Sequence, residues 1–295
     1  MYKEVALDPQ CMSEYHYYGL LKGSFGFEKG RYVVAPLLSW LEEAFQSVKN
    51  SDIQPVKQKS IKAFLNKLRK NKTCSLIILP EDRAETTEQN KTENWLAWLQ
   101  YQREHRAFNS IVSERVVEGS INYDQVIDEN ESWRVPPSIR IAKTEDEIAK
   151  VVIPLLEIGD ELIIVDQYFR LTANPVLQRI FAEIQALRNI KKITLVTSVS
   201  PANAQAVFSH DFVENFNYIP SFKLIVAPER FFHDRYMITN KATIKSGHGF
   251  SVGRPQGAQA DLLSISLCGY VETEETKQWV ETVLQRDATF SMQLA

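Results

Sequence analysis

Apolar residues at helical spacing and short apolar runs take turns along this chain, and each change of period marks out an element. From Pro36 to about Asn50, Leu37, Leu38, Leu41, Phe45 and Val48 recur at intervals of three and four, with Pro36 suited to a first helical turn and Asn50-Ser51-Asp52 ending the helix. Ile61, Phe64, Leu65 and Leu68 repeat that pattern over about 58–70, and Trp95, Trp98, Leu99 and Gln102 share a further helical face. Aromatic residues at this spacing predict core contacts rather than a ligand platform. Cys74 to Leu79 reads as a buried strand stopped by Pro80, residues 81–93 as an exposed polar loop, and Ile111 to Val117 as a strand. Residues 1–30 interleave Tyr15, Tyr17, Tyr18, Phe25 and Phe27 with four glycines, without the spacing of a phosphate loop, and read as loops and a short helix.

Trp133-Arg134-Val135-Pro136-Pro137 marks a change of domain, because consecutive prolines favour an extended linker. Beyond it, Glu145 to Glu157 reads as a helix with Thr144 as N-cap, Glu147 completing a capping box and Pro154 kinking the helix or ending it early. The apolar run Glu161 to Val165, a helix from Pro175 to Leu187 and a strand from Ile193 to Val196 make a β-α-β unit. Such units build parallel sheets and place ligands at the carboxyl ends of strands, where Asp166 and Tyr168 stand. A helix over 201–216, a strand over 222–226, an alternating strand Leu263–Leu267 and a helix Glu274–Leu284 continue the pattern. The expected class is α/β: a smaller α+β domain over 1–135, then a domain over 138–295 with a mixed sheet flanked by helices.

At 295 residues, a net charge of −3 and 44% hydrophobic residues, the chain has the make-up of an ordinary globular protein of two domains, and its bulk charge does not select nucleic acid as a partner. Cys11, Cys74 and Cys268 are far apart and form no metal-ligand cluster, which predicts reduced thiols in a cytoplasmic protein. No apolar run nears the roughly 20 residues of a membrane span, and Met1-Tyr2-Lys3-Glu4 begins no signal peptide. One local departure stands out. Between Lys57 and Lys72 lie seven cations and no acid, either a solvated helix face or a contact surface for the phosphates of nucleic acid or anionic lipid.

The stretch from His233 to Gly249 carries the candidate chemistry. His233-Asp234-Arg235-Tyr236 begins a strand in which His233 and Arg235 face one way while Asp234 and Tyr236 face the other. Met237-Ile238-Thr239 continues it, Asn240-Lys241 turns the chain, and Ala242-Thr243-Ile244 returns to Gly247. As a pattern this is His-x-Arg, four residues, Asn240, six residues, Gly247, with His248 directly after. It resembles the signature of the phospholipase D superfamily, His-x-Lys-(four)-Asp-(six)-Gly, with Arg235 in place of the lysine and Asn240 in place of the aspartate. Together with Ile163–Arg170 and Ile193–Ser198, the stretch is similar to the phospholipase D-like domain at the C-terminus of MIT-domain proteins. That family has Asp-Pro-Tyr after the first strand, a Leu-x-Thr strand end, and His-Asp-Arg followed by Ile-Lys-Ile-Gly-Arg-Gly. Here Gln167 stands for the proline, and Ser246 and His248 for the second isoleucine and the arginine.

The resemblance covers the C-terminal half and implies phosphodiester transfer without metal or cofactor, in which a histidine attacks phosphorus, cations neutralise the non-bridging oxygens and a second histidine protonates the leaving oxygen. In that scheme His233 is the nucleophile and Arg235 a phosphate clamp. Asn240 takes the place of an orienting carboxylate and His248 is a second proton-transfer group, with Lys245, Ser246, Gly247, Asp166 and Tyr168 around the phosphate. A single motif implies a homodimer that completes the site. The implied function is a nuclease, in bacterial defence against phage. The alternatives are a non-catalytic phosphate-binding module for nucleic acid or anionic lipid, and a polar network of His233, Asp234 and Arg235 that serves only the hairpin.

Overall fold

The structure is a computed structural model that describes residues 1–70, 77–78, 94–253, 257 and 261–295. The chain divides into two compact units, Tyr2–Val135 and Pro136–Ala295.

In the N-terminal unit, β1 (Lys3–Leu7) is the centre of a five-stranded sheet with β2 (Arg31–Val34), β3 (Ile77–Ile78), β4 (Ser110–Val112) and β5 (Ser120–Ile121), in the order β3-β2-β1-β4-β5. Every pairing is parallel. Helix α1 (Tyr15–Gly23) joins β1 to β2, α2 (Leu37–Lys49) and α3 (Pro55–Lys70) follow β2, α4 (Trp95–His105) precedes β4, and α5 (Tyr123–Ile127) follows β5. This is an α/β unit, not the α+β domain expected, and the reason lies in β1 and β2. Val5-Ala6-Leu7 and Tyr32-Val33-Val34 are strands so short and so completely buried that they leave neither alternation nor a long apolar run to read. The strand expected over 111–117 ends at Val112, and Val116 is fully exposed. The three helical patterns do form helices, with Trp95, Trp98, Leu99 and Gln102 all buried. Of the strand expected at Cys74–Leu79 the described part is Ile77–Ile78; Cys74, the loop 81–93 and Lys72 lie outside the described residues.

Below the sheet's carboxyl end, the fully buried Asp8 accepts from Arg115 Nε and Nη2 at 2.6 and 2.7 Å and from Ser113 Oγ at 2.6 Å. Trp133, part of the expected linker, belongs to this unit: its ring lies 4.4 Å from the Arg31 guanidinium and meets Phe25 edge-on.

The C-terminal unit is built on one eight-stranded mixed sheet. Its strands are β6 (Ser138–Ala142), β7 (Glu161–Val165), β8 (Lys192–Thr197), β9 (Ser221–Val226), β10 (Arg235–Ile238), β11 (Thr243–Ser246), β12 (Leu262–Leu267) and β13 (Phe290–Gln293). Their order is β13-β9-β8-β7-β10-β11-β12-β6. β7, β8 and β9 are parallel, as the β-α-β reading requires, and all other pairings are antiparallel. Helices α6 (Glu145–Ile158) and α7 (Pro175–Leu187) pack on each other, the short α8 (Ala204–Phe208) lies between β8 and β9 in the chain, and α9 (Tyr270–Leu284) lays Val280 and Val283 on Val165, Val196, Ile225 and Ile238. Thr144 caps α6 through its bond from Glu147 N, and the helix runs through Pro154 to Ile158. The carbonyl that Pro154 leaves without a donor is that of Lys150, an exposed residue where water substitutes. The sequence reading passed over edge strands β6 and β13, although Ser138-Ile139-Arg140-Ile141 and Phe290-Ser291-Met292-Gln293 alternate polar and apolar residues as strands do.

Candidate functional site

Chain topology brings the chemistry together at the carboxyl ends of β7, β8 and β9. After Val165 the chain leaves the sheet through Asp166-Gln167-Tyr168. After Val226 it forms a 3-10 turn, Glu229–Phe231, that leads into His233 and β10. Because β10 runs antiparallel to β7, with Tyr236 opposite Val165, the start of β10 meets the end of β7. His233 and Arg235 therefore stand on the wall of one open cleft, together with Gln167, Glu229, Arg230 and Phe232. The alternation read from the sequence holds from Asp234 to Tyr236 but not for His233, which precedes β10 and also borders the cavity lined by Asp234 and Tyr236.

The His233 side chain is 96% exposed, with Nδ1 3.2 Å from Asp234 Oδ2. Nε2, the atom a nucleophilic imidazole would use, is left open to solvent. Such exposure rules out a histidine buried to hold the hairpin. Asp234 faces a separate cavity of about 210 Å³ under α9, lined also by Val165, Tyr236, Glu272 and Trp279. There the Tyr236 hydroxyl donates to Glu272 Oε1 at 3.0 Å, with Asp234 Oδ2 3.4 Å away, and Lys245 Nζ donates to both Glu272 oxygens at 2.9 and 3.1 Å. Burial and the bond to Glu272 push the Tyr236 phenol up. Partial burial tends to raise the Glu272 carboxyl, but the Lys245 ammonium and the Tyr236 hydroxyl outweigh it and hold it below the usual value.

Arg235 donates from Nη1 to the Gly247 carbonyl at 2.6 Å, and its guanidinium lies 5.9 Å from the centre of the Tyr168 ring. Nε is buried without a partner, so the donors left to an anion in the cleft are those of the two Nη atoms. The Tyr168 hydroxyl donates to Glu229, which raises its pKa.

Asp166 does different work from the phosphate contact expected of it. It is fully buried, and each oxygen accepts a backbone N–H: Oδ1 from Tyr168 at 3.0 Å, Oδ2 from Phe250 at 2.7 Å. It ties the end of β7 to the loop after β11. Burial nevertheless pushes its carboxyl above the usual range, against those two bonds and the pull of Arg235 and Lys143. Gly249 makes the close approach feasible, with φ +77° and no side chain.

Other expected site residues are dispersed by the same geometry. Arg235 pairs with Ser246 and Tyr236 with Lys245, so Lys245 lies on the α9 side of the sheet, away from Arg235 and bound to Glu272. Ser246 is buried and accepts from the His248 N–H, holding the turn rather than reaching a phosphate. Gly247 contributes its carbonyl to Arg235. Asn240 sits at the far end of the hairpin, five residues and about 17 Å along an extended chain from Arg235. Its Oδ1 accepts from Asp160 N before β7, so it cannot orient His233. His248 is exposed in the loop after Gly247, and its carbonyl accepts from Lys143.

The chain matches no protein-family model and no curated protein. What can be said of its chemistry therefore rests on the cleft. The reading of the sequence overlooked Glu229 and Arg230, which follow β9 directly; the strand-end rule that flagged Asp166 and Tyr168 applies equally to them. It also overlooked Glu272, a charge in the first turn of α9 whose role depends on a strand far away in sequence. Among the described residues no group of three or more His, Cys, Asp or Glu side chains is placed to hold a metal ion.

Proposed function

We propose that the C-terminal unit is a phospholipase D-like domain that cleaves phosphodiesters of nucleic acid through a covalent phosphohistidine at His233. The observation that carries this reading is the pairing on one open cleft of an exposed imidazole, backed at Nδ1 by Asp234, with a guanidinium whose fork has unspent donors. A phosphate held by Arg235 puts phosphorus within reach of His233. The Nε2 lone pair forms the P–N bond, the P–O bond to the leaving group breaks, and its oxygen takes a proton. Water then attacks phosphorus, returning the electron pair to Nε2 and giving up its proton. Arginine suits the clamp because two parallel bonds stabilise the charge on the equatorial oxygens.

His233 is the one histidine on this cleft's wall among the described residues, so the second histidine of the scheme comes from another copy of the chain. Two copies of the chain meeting over the cleft would each supply the other's acid, so the working form is a homodimer. The same observation supports a second reading, a binding module for the phosphates of nucleic acid or anionic lipid that lacks turnover because it lacks the acid.

Hydrolysis of labelled DNA, RNA and a chromogenic phosphodiester, with and without a chelator, tests the proposal. Activity that survives the chelator, falls about 10³-fold or more in His233→Ala and is confined to the dimer in sedimentation supports it. Full activity in His233→Ala refutes it. Saturable binding without hydrolysis at any protein concentration selects the second reading.

A further inference from the structure

Helix α3 carries a charge pattern that its fold does not account for. Its apolar stripe, Ile61, Leu65 and Leu68, is buried. At 100° per residue, Lys59, Lys67 and Lys70 fall opposite that stripe and Lys62 and Arg69 on its flank, all exposed except the half-buried Lys62. Lys62 donates to the neutral Gln58, and among the described residues none of the five meets a carboxylate.

Stability arguments explain only part of this arrangement. Cations in the last turn complement the helix dipole, which accounts for Lys67, Arg69 and Lys70. Lys57 lies 4.9 Å from the centre of the Tyr15 ring, but neither the dipole nor a ring contact accounts for Lys59 and Lys62 in the first half, where the dipole disfavours positive charge and the first turn has no acid. Lys59 with Lys62, and Lys67 with Lys70, are like charges three residues apart that repel each other. In a chain of net charge −3, a face that gathers cations against its own helix costs folding stability, and a polyanion laid along it would offset that cost.

We propose that this face of α3 is a docking surface for the phosphate backbone of nucleic acid. From Lys59 to Lys70 the helix rises about 16 Å, the axial span of about five successive phosphates on one strand, which matches the five cations. A bilayer fits less well. The apolar face that would enter it is spent on the core, and on the exposed side Val56 is the one large apolar residue that α3 offers. The cations contact phosphates rather than base edges, so binding is governed chiefly by salt. The inference stands on the N-terminal unit alone and does not depend on the chemistry at His233.

The test is fluorescence anisotropy of the full chain with labelled 20-nucleotide single-stranded DNA, RNA and a DNA duplex, between 50 and 200 mM salt. We expect a slope of log K against log salt of about −3.5 on single strands for five phosphates. Reversing four charges, Lys59→Glu, Lys62→Glu, Arg69→Glu and Lys70→Glu, is expected to lower affinity at least about 100-fold at low salt, and the corresponding glutamine variant at least about 10-fold. Lysine-to-arginine changes at 59, 62 and 70 are expected to retain binding. If the reversed variant does not fold, the glutamine variant carries the test. Equal affinities for wild type and glutamine variant overturn the proposal. So does an absence of binding at 50 mM salt, or capture by anionic vesicles, lost on charge reversal, without binding to any oligonucleotide.

Discussion

Gly249→Ala probes whether Asp166 is the tie that assembles the cleft. A Cβ at this position would stand 2.6 Å from Asp166 Oδ2 and 3.2 Å from its Cγ and Oδ1, with backbone φ at +77°. Restoring an ordinary contact requires the carboxylate to retreat about 0.8 Å from the new methyl group. Such a shift stretches the 2.7 Å bond that Oδ2 accepts from Phe250 N, between two fully buried residues. Losing a charged hydrogen bond in the interior costs about 1.5–3 kcal/mol, and a side chain in the left-handed region about 1–2 kcal/mol more. A combined loss of about 3–5 kcal/mol is a large fraction of a domain's stability and corresponds to a fall of about 10 °C in the melting temperature of the C-terminal unit. Scanning calorimetry of the full chain reads this directly if the two units melt separately; otherwise urea denaturation followed by near-UV circular dichroism does. Gly253→Ala is the control, since its Cβ would meet nothing within 4 Å. A Gly249→Ala protein that melts within about 2 °C of wild type would show that Asp166 can swing aside freely, and the account of the loop as anchored would be wrong.

Arg115→Ala should be as costly in the other unit, because it leaves the fully buried Asp8 without its bidentate partner; about 3–5 kcal/mol is expected by chemical denaturation, with Arg115→Lys intermediate. Asp166 makes a pH-dependent contribution of known sign. Its carboxyl is raised in the folded state, so the stability of wild type relative to Asp166→Asn should be greatest below the unfolded pKa and shrink as pH rises through the folded one, which urea titrations at pH 3.5 and 7 would detect. Glu272 behaves oppositely: its pKa is depressed, so the stability lost in Glu272→Gln should be present above about pH 4.5 and vanish as pH falls through the folded value. Lys245 and Glu272 are each more than a third exposed, which holds this loss to about 0.5–1 kcal/mol.

Local pattern made much of the C-terminal unit legible. Glu161–Val165, Pro175–Leu187 and Lys192–Thr197 follow their apolar periods because burial of one helix stripe, or of a whole parallel strand, dictates which residues can stand where. The two-residue period of an extended chain also set Asp234 with Tyr236 and apart from Arg235, before any partner strand was known, whereas His233, outside the strand, borders both sides. In the N-terminal half the same signals located α2, α3 and α4 but passed over β1, the strand on which the sheet is centred. Three buried residues after Lys3 and Glu4 are too few to declare a period.

What tertiary structure alone decided is who meets whom across the hairpin and the sheet. A linear motif lists Lys245, Asn240 and Asp166 beside His233. Pairing of Tyr236 with Lys245 turns the lysine to the opposite face, and the length of β10 carries Asn240 to the far end. Asp166 is drawn inward by the N–H of Phe250, 84 residues later. The period of a strand is a property of its own backbone and can be read from its residues. The register of its partner, and the burial that turns a site carboxylate into a structural tie, arise from contacts between segments remote in sequence, and no local pattern encodes them.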